Sequence, residues 1–557
     1  MTAAFDPAPG ADSLYFLPLG GTGEIGMNLN LYGHAGQWLM VDLGITFPED
    51  GSLPGIEVLM PDPQFIEERR DHLVGLVATH AHEDHIGAIP YLWSRLQCPI
   101  YATPFTAELV RRKLAEAGLE KQVTLHEIPL SGRFSVGAFD IELISLTHSI
   151  PEPNALVIRT PLGTVLHTGD WKLDPDPLVG DDYDDGALRA LADEGVLALV
   201  GDSTNAQVEG TAGSEGDVRN SLIQLVAEAP GRVVVACFAT NVARLESALV
   251  AAHRAGRRVC LLGRSMKRIY EVASQTGYLK NPAPLISEED VGYLPRNEVL
   301  ILATGSQGEA RAALPRLSRG ENRHFALEPG DQVIFSSRVI PGNERPIERL
   351  QERLHLSGIE VLTDSDAFIH VSGHPARDEL AQMYNWVRPR IALPVHGEPQ
   401  HLRAHAALAK GCQVPQALVG GNGQAIRLAP GREAILAERV PSGRLALDGK
   451  RLLPINSDAF KERHRMANDG QVLATLVTDR GGNLVVTPQV TERGLDSSAH
   501  EPDWLIDCIE EALDLAGKAT RRDDAKLREA VRVALRRRVQ RETGKKAQVE
   551  VHLVRVA

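Results

Sequence analysis

Three histidines and an aspartate fall within six positions of this sequence, at His80, His82, Asp84 and His85. The residues before them, 73–78, are apolar enough for a buried strand, so the group lies where a strand ends and a loop begins. Neutral imidazole suits zinc and carboxylate suits zinc or manganese, and so many ligand side chains are costly to bring together without a cation. One ion cannot easily use all four from so short a loop. The spacing therefore predicts two metal ions side by side.

Three predicted strands further along the chain also end in ligand side chains, at His148, Asp170 and His396. A carboxylate offers two oxygens, so Asp170 is the residue that can bridge two ions. The two predicted histidine-rich sets, each sharing Asp170, are His80, His82 and His148 for the first metal and Asp84, His85 and His396 for the second. His167, which also ends a predicted strand, is expected to be structural.

The size and charge of the chain restrict its function classes. With 557 residues, it is too long for one core, and its length predicts roughly three to four domains. No apolar run approaches the ~20 residues of a membrane helix, and residues 1–13 resemble a loose tail rather than a signal peptide. The net charge of −14 gives no support to nucleic-acid binding, so an RNA or DNA partner would need a local basic groove, with metals supplying part of the positive charge.

The cysteines indicate a compartment. The five cysteines are scattered, odd in number and never in a Cys-x-x-Cys pair. This argues for a reducing compartment and against a thiolate metal site. We therefore expect a cytoplasmic protein.

Residues 20–26 contain a Gly-x-Gly-x-x-Gly match after a predicted strand. A dinucleotide-binding fold would require a helix next. Residues 27–32 and 37–42 instead predict a hairpin, so we interpret the glycines as turn residues. Asp42, at the end of this hairpin, is either a hydrogen-bond partner of a metal-bound histidine or a turn cap.

The following loop, 47–63, is rich in proline, glycine and acidic residues. Glu49 and Asp50 are candidate ligands for an additional structural cation such as calcium, against the alternative of a solvated loop.

From about residue 206 to 365 the pattern changes to alternating strands and helices. Strands are expected at 232–237, 258–262, 298–303 and 332–336, with an amphipathic helix at 241–254. This alternation predicts an α/β domain with a largely parallel sheet. The strands end in small polar loops, where backbone amides suit phosphates.

The C-terminal part follows a Gly/Pro/Arg-rich stretch at 420–449 that is expected to be a linker or a connecting hairpin. Strands are predicted at 471–478, 483–486 and near the C-terminus. Residues 518–546 predict a basic helix, interpreted either as a solvated face or as an RNA-contacting or dimerising surface.

Taken together, these motifs resemble the metallo-β-lactamase superfamily. The insertion between Asp202 and His370 is similar to its β-CASP nucleic-acid-processing branch, with Asp202, His374 and His396 matching the three additional motifs of that branch. The sequence motifs at residues 23–26, 167–171, 201–205, 304–309 and 370–374 resemble those of the bacterial ribonuclease J family. The resemblance extends over nearly the whole chain.

The resemblance implies an α/β fold: an αββα metallo-β-lactamase sandwich with an inserted β-CASP α/β domain and a small α+β C-terminal domain. The implied boundaries are 1–205 and 366–445 for the sandwich, 206–365 for the insertion, 446–465 for a linker and 466–557 for the C-terminal domain. It also implies two divalent ions, zinc or manganese, and a 5′→3′ exoribonuclease that prefers 5′-monophosphate RNA and has endonuclease activity. A homodimer, and roles in ribosomal RNA maturation and messenger decay, are implied by the resemblance alone.

The residues also suggest a mechanism. Two metals can activate a water and stabilise both oxygens of an in-line displacement at an RNA phosphodiester. His374, oriented by Asp202, is our hypothesis for the general acid, and Asp84 belongs to the same catalytic group. The stretch formed by His370, Val371, Ser372, Gly373 and His374 matches the 5′-phosphate pocket of the family, and it offers hydroxyl, amide and ring donors.

Three other functions compete with this one. A two-metal hydrolase acting on thioesters or lactams would not need the ~160-residue insertion. The second alternative is a mainly endonucleolytic or DNA-directed β-CASP nuclease. A labelled single-stranded RNA with a blocked 5′ end would distinguish it from a 5′→3′ exoribonuclease. A non-catalytic RNA-binding scaffold would not need all seven ligand side chains.

Overall fold

A computed structural model describes residues 5–48, 52–279, 284–340, 343–431, 433–496 and 503–556. The chain divides into two compact units, one within residues 1–49 and 58–446 and the other within 50–57 and 447–557. In the described part of the chain, no helix combines the length and apolar character needed to cross a membrane.

The described residues before 205 alternate short strands and helices. The strands are β1 Leu14–Gly20, β2 Leu29–His34, β3 Gln37–Val41, β4 Leu59–Pro61, β5 Leu73–Val77, β6 Ile100–Ala102, β7 Leu125–Glu127, β8 Arg133–Val136, β9 Phe139–Ser145, β10 Asn154–Thr160, β11 Gly163–His167 and β12 Val196–Asp202. The helices are α1 Gln64–Glu67, α2 Glu83–Ile86, α3 Ile89–Leu96, α4 Pro104–Glu116 and α5 Asp185–Glu194, with a 3₁₀ turn at Arg70–His72.

The described residues from 206 to 365 form a second group of elements. The strands are β13 Val233–Ala236, β14 Arg258–Leu262, β15 Leu285–Ile286, β16 Val299–Ala303, β17 Gln332–Phe335 and β18 Glu360–Leu362. The helices are α6 Glu215–Glu228, α7 Val242–Arg254, α8 Arg264–Gln275, α9 Ala313–Ser318 and α10 Glu344–Leu356, with 3₁₀ turns at Asp290–Tyr293 and Arg296–Glu298.

The remaining elements complete the first unit and form the second. The strands are β19 Ile391–Val395, β20 Gln416–Ala417, β21 Gln424–Ala429, β22 Ile435–Arg439, β23 Arg444–Asp448, β24 Arg451–Pro454, β25 Gln471–Thr478, β26 Gln489–Arg493 and β27 Gln548–Arg555. The helices are α11 Arg377–Val387, α12 Pro399–Gly411, α13 Asp458–Asp469, α14 Trp504–Leu515, α15 Lys518–Arg522 and α16 Asp524–Thr543.

Two mixed sheets face each other across the main core of the first unit. Their strand orders are β22-β21-β1-β2-β3-β5-β6-β7 and β20-β19-β12-β11-β10-β9-β8. Phe16 and Tyr32 from one sheet pack in a single cluster with Ile141, Val200 and Leu393 from the other. Full burial of each such side chain contributes about 1.5–3 kcal/mol.

Helices cover the outer faces of the two sheets. α4 packs against β6 and β7 of the first sheet, and α3 packs against α4. α5, α11 and α12 form a second apolar cluster with the outer face of the second sheet. The result is the expected αββα sandwich.

The residues between β12 and β19 form a separate sheet within the same unit. β12 and β19 are parallel neighbours in one sheet of the sandwich, so the chain leaves this sheet after Asp202 and re-enters it at Ile391. The inserted sheet, β15-β14-β16-β13-β17-β18, is parallel throughout. Buried valines and isoleucines in continuous runs produce it, as expected for strands covered on both faces. The predicted α/β insertion is confirmed.

The glycines at 20–26 form a turn, because Gly21, Gly23 and Gly26 have positive φ angles that other residues rarely adopt. The next element is β2, which pairs antiparallel with β1.

The second unit has a three-stranded sheet of order β26-β25-β27. α14 and α16 bury Ile509, Val531 and Leu535 against it. Asp523 is the N-cap residue of α16, since its carboxylate accepts hydrogen bonds from the backbone N–H groups of Ala525 and Lys526.

Three details differ from the sequence-based expectations. Residues 483–486 do not form a strand: Leu484 makes an isolated bridge to Thr478, and Val485 and Val486 are each more than half exposed. The stretch 420–449 contains the β21–β22 hairpin, which is one of its two expected forms, whereas residues 446–465, expected to be a linker, include β24 and the start of α13. The basic segment 518–546 is divided into α15 and α16 at Asp523.

Candidate metal centre

The sandwich brings the predicted ligand side chains to one edge. β5, β9, β11 and β19 each end just before one of them, β12 ends at Asp202, and β9, β11, β12 and β19 point the same way within their sheet. Carboxyl ends of parallel strands meet at one edge of a sheet, so residues far apart in sequence converge there.

The first predicted set lies close together. His82 Nδ1 is 3.1 Å from His80 Nε2 and 3.1 Å from His148 Nε2, and Asp170 Oδ2 is 3.9 Å from His80 Nε2. These four ligand atoms all lie within 4.8 Å of one another.

The second predicted set shares Asp170. Its Oδ2 is 3.1 Å from His85 Nε2 and 3.4 Å from His396 Nε2. Asp84 Oδ2 is 3.4 Å from His85 Nε2 and 3.7 Å from His396 Nε2. Asp170 is therefore the one predicted ligand that belongs to both sets.

The unsatisfied atoms of this cluster fit divalent cations. Asp170 Oδ1 and His396 Nε2 are buried and have no hydrogen-bond partner among the described residues. Burial lowers the pKa of His80, His82 and His148, that of His82 to about 4, so these rings are neutral at pH 7. Neutral imidazoles and ionised carboxylates are the forms that bind metals. The donor set of this site therefore fits divalent metal ions.

The charged groups of the second set stabilise one another. Burial raises the pKa of Asp170, but His396, His85 and His374 outweigh it and hold that pKa well below its usual range. Burial lowers the pKa of His85, but Asp170, Asp84 and Asp42 outweigh it and raise that pKa. The cluster thus concentrates negative charge where a cation can replace the protons.

Acceptor groups behind the histidines determine which ring nitrogen is free. Asp42 Oδ2 is 2.7 Å from His85 Nδ1, Asn28 Oδ1 is 3.0 Å from His396 Nδ1, and the Gly373 carbonyl accepts from His148 Nδ1. Because these oxygens can only accept, each Nδ1 must carry the proton. In the neutral form of each ring, Nε2 is then the nitrogen whose lone pair is available to a metal.

His80 is oriented by a two-step chain. The Thr79 hydroxyl donates to the Asp42 carboxylate, 2.9 Å from Oδ2, and so accepts from His80 Nδ1 at 3.0 Å. Asp42 therefore supports one histidine of each predicted set. Its φ of 63° places it in the left-handed region, a strained conformation that recurs at functional sites.

We predict that Asp42→Ala weakens metal binding by roughly 10- to 100-fold, the usual effect of losing a partner of a metal-bound histidine. The reason is that His85 and, through Thr79, His80 lose the acceptor that orients their rings. Titration of the metal-free protein with zinc or manganese measures the affinity. Asp71→Ala, at an exposed carboxylate, is the matched control, and equal affinities in the two variants would refute the role.

His374 lies beside the metal cluster. Its Nδ1 is 2.8 Å from Asp202 Oδ2 and 3.8 Å from Asp170 Oδ2. Burial lowers the pKa of His374, but Asp202 and Asp170 outweigh it and raise the pKa to about 9. Asp202 is fully buried whereas His374 remains partly exposed, so the ring is accessible and its orientation is set from behind.

The loop 370–374 is anchored by residues of both the insertion and the sandwich. Arg244 is fully buried and donates to the Ile369 carbonyl at 2.8 Å and to Glu215 at 3.0 Å. At the other end, a Cβ on Gly373 would lie 2.4 Å from His148, so only glycine allows this approach. His370 Nδ1 is buried and unpartnered among the described residues. Burial and the cations Arg244, Arg338 and Lys172 lower the pKa of that ring.

Other residues that the sequence analysis singled out fall into three cases. Val371 is buried and packs near Gly213, so its side chain lines the loop rather than offering a donor. Glu49 and Asp50, the candidates for a structural cation, lie outside the described residues. His167 is buried 2.9 Å from the Tyr32 hydroxyl, apart from both predicted sets.

The sequence analysis missed three residues of this site: Asn28, Thr79 and Asn205. Asn28 and Asn205 are buried polar side chains with tertiary partners. The signal for Asn28 was its place in the predicted hairpin at 27–32, where Asn and Leu alternate, since a buried amide needs a partner. Thr79 and Asn205 gave no comparable signal.

Four family models match consecutive parts of the chain. They are described as "Metallo-beta-lactamase superfamily" at residues 26–235, "Ribonuclease J, beta-CASP domain" at 230–354, "Zn-dependent metallo-hydrolase RNA specificity domain" at 342–415 and "Ribonuclease J C-terminal domain" at 459–556.

Known proteins are similar over most of the chain. A protein named Ribonuclease J from Sinorhizobium meliloti is 44% identical over 553 residues, covering 98% of each chain. A Ribonuclease J from Thermus thermophilus is 39% identical, covering 87% of this chain and 85% of its own. A crystal structure of a protein of unknown function from Enterococcus faecalis V583 aligns over 74% of this chain and 100% of its own, with a TM-score of 0.52 and 17% identity, which supports the fold alone.

Proposed function

The chain belongs to the ribonuclease J family of metal-dependent ribonucleases, and on that premise we propose that it degrades single-stranded RNA in the 5′→3′ direction, prefers a 5′-monophosphate and also cleaves internally. The observation that carries this proposal is the position of the loop 370–374. One end of it, His374, lies 3.8 Å from Asp170, and the other, His370, offers a buried ring nitrogen that has no hydrogen-bond partner among the described residues. A terminal phosphate held in this loop places the first phosphodiester beside the metal cluster.

We assign the metal ligands as the two sets described above, bridged by Asp170, with zinc or manganese as the ions. Histidine-rich donor sets with carboxylates suit both. When bound, such a pair of ions supplies Lewis-acid activation of water and neutralises charge at the phosphodiester.

The residues of the chain supply the rest of the mechanism. Ser372 and His370 bind and orient the RNA end, and Asp84 and Asp170 hold the negative charge that attracts the cations. The leaving 3′-oxygen needs a proton, and His374 is the partly exposed acid beside the cluster, with Asp202 orienting its ring through Nδ1. Its Nε2 is then the atom that can donate.

One time course tests the direction, substrate and metal dependence together. RNA carrying a 5′-³²P label is compared with the same RNA labelled at its 3′ end, with and without Mn²⁺ and with chelator. We expect labelled mononucleotides from the 5′ end at the earliest times, and no products with chelator. A 5′-blocked RNA cleaved as fast as the free-ended RNA would instead indicate a mainly endonucleolytic enzyme, and equal cleavage of DNA would indicate a DNA-directed one.

We predict that 5′-monophosphate RNA is degraded faster than 5′-triphosphate RNA. The loop 370–374 is short and tethered at both ends, so it cannot widen to admit two further phosphates. Initial rates on the two RNAs, identical except for the 5′ end, measure the difference. Equal rates would remove the pocket role from this loop.

We further propose a cytoplasmic homodimer that acts in ribosomal RNA maturation and messenger decay. The domain boundaries 1–205, 206–365, 366–445, 446–465 and 466–557 are proposed on the same resemblance. Light scattering across a concentration series tests the dimer.

A further inference from the structure

Asn205 lies one turn beyond Asp202, at the point where the chain leaves the sandwich, and it is 7% exposed. Its side-chain amide nitrogen donates to the Ser372 hydroxyl oxygen at 2.7 Å and to the His374 carbonyl at 3.0 Å. A carbonyl oxygen can only accept, so the NH₂ group of Asn205, and not its oxygen, must face the loop. Both hydrogens of this NH₂ group are therefore committed to the loop.

The Ser372 hydroxyl can therefore act towards a further partner only as a hydrogen-bond donor. Its oxygen accepts from Asn205 and also from the backbone N–H of His374 at 3.1 Å. A hydroxyl oxygen has two lone pairs, so both are used and its proton must point elsewhere. Among the described residues no acceptor receives this proton, and Ser372 is half-buried at the surface of the loop. An anion above the loop is the partner that this geometry favours.

We propose that Asn205 is a positioning residue for the 5′-phosphate: it holds the Ser372 hydroxyl as a donor aimed at a phosphate oxygen. This inference rests on the proposed pocket at 370–374. Without Asn205, the hydroxyl can rotate and offer a lone pair to the anion, which repels it. The same amide also ties Ser372 to the His374 carbonyl, so the phosphate donor and the adjacent histidine keep a constant spacing.

The test is the ratio of kcat/KM for 5′-monophosphate RNA to that for 5′-hydroxyl RNA, measured in wild type, Asn205→Ala, Ser372→Ala and the double variant. We expect each single variant to lower this ratio by roughly 10- to 100-fold, the factor of one hydrogen bond to a charged group. We expect the double variant to lower it no further, because Asn205 acts through Ser372. A merely structural role would lower both rates together and leave the ratio unchanged.

Asn205→Asp is the second variant, since it keeps the shape of the side chain if the alanine variant does not fold. A carboxylate only accepts, so Ser372 turns its proton towards it and the ratio falls at least as far. Asn220→Ala, at an exposed position of α6, is the control and leaves the ratio at the wild-type value.

The outcomes separate the two proposals. A wild-type enzyme without preference for 5′-monophosphate over 5′-hydroxyl RNA would overturn the pocket and this inference with it. A wild-type preference that survives Asn205→Ala and Asn205→Asp, or effects of Asn205→Ala and Ser372→Ala that add in the double variant, would overturn this inference alone.

Discussion

Asp170→Asn is expected to reduce RNA cleavage by on the order of 10³-fold or more. Asp170 is the residue shared by both predicted metal sets, and its Oδ2 is 3.9 Å from His80 Nε2, 3.1 Å from His85 Nε2 and 3.4 Å from His396 Nε2. The amide keeps the shape of the side chain but removes its charge, so the site loses a carboxylate that would balance the charge of two bound cations. Metal-dependent charge stabilisation contributes several kcal/mol to a hydrolytic barrier, and each 1.36 kcal/mol is a factor of about ten.

The measurement combines initial rates with the metal content of the purified protein. We expect the variant to retain less than the wild-type amount of metal while its far-ultraviolet circular dichroism spectrum is unchanged. Asp182→Asn applies the same substitution at an exposed carboxylate and should keep both full activity and metal. Wild-type metal content together with wild-type activity in Asp170→Asn would refute the assignment of Asp170 as the bridge.

His374→Ala is expected to slow single-turnover cleavage by about 10²- to 10⁴-fold, the usual contribution of a general acid. The structure places the ring between the fully buried Asp202, 2.8 Å from Nδ1, and the partly exposed edge of the cluster. Without this ring the 3′-oxygen must leave unprotonated, which raises the barrier of the chemical step and not the cost of binding.

Single-turnover rates at saturating enzyme separate the chemical step from RNA affinity. His253→Ala, at an exposed position of α7, is the control and should behave as wild type. If His374→Ala cleaves at the wild-type rate once bound but binds RNA more weakly, His374 is a phosphate-binding residue and not the acid.

The sequence by itself predicted the inserted parallel sheet from its alternating strands and helices, and it predicted the αββα sandwich through the family resemblance that its motifs carry. A run of apolar residues that ends in a histidine or aspartate predicts both a buried strand and a functional loop, and this pattern recurs at His148, Asp170 and His396. The structure brings these side chains within reach of His80 to His85, although their roles as ligands stay predictions. The incorrect prediction of a strand at 483–486 also came from a local pattern. β-branched residues favour a strand, but they do not show whether another element packs against it.

Only the tertiary structure decided how each side chain is held. Asn28 and His396 are 368 positions apart, and no local pattern pairs them, yet their contact determines which nitrogen of His396 is free. The same holds for Asn205 and Ser372, 167 positions apart. The physical reason is that a ligand's identity follows from its own chemistry and its place at the end of a strand. Its tautomer, orientation and proton direction depend instead on neighbours that meet it only when the sheets and the insertion have packed.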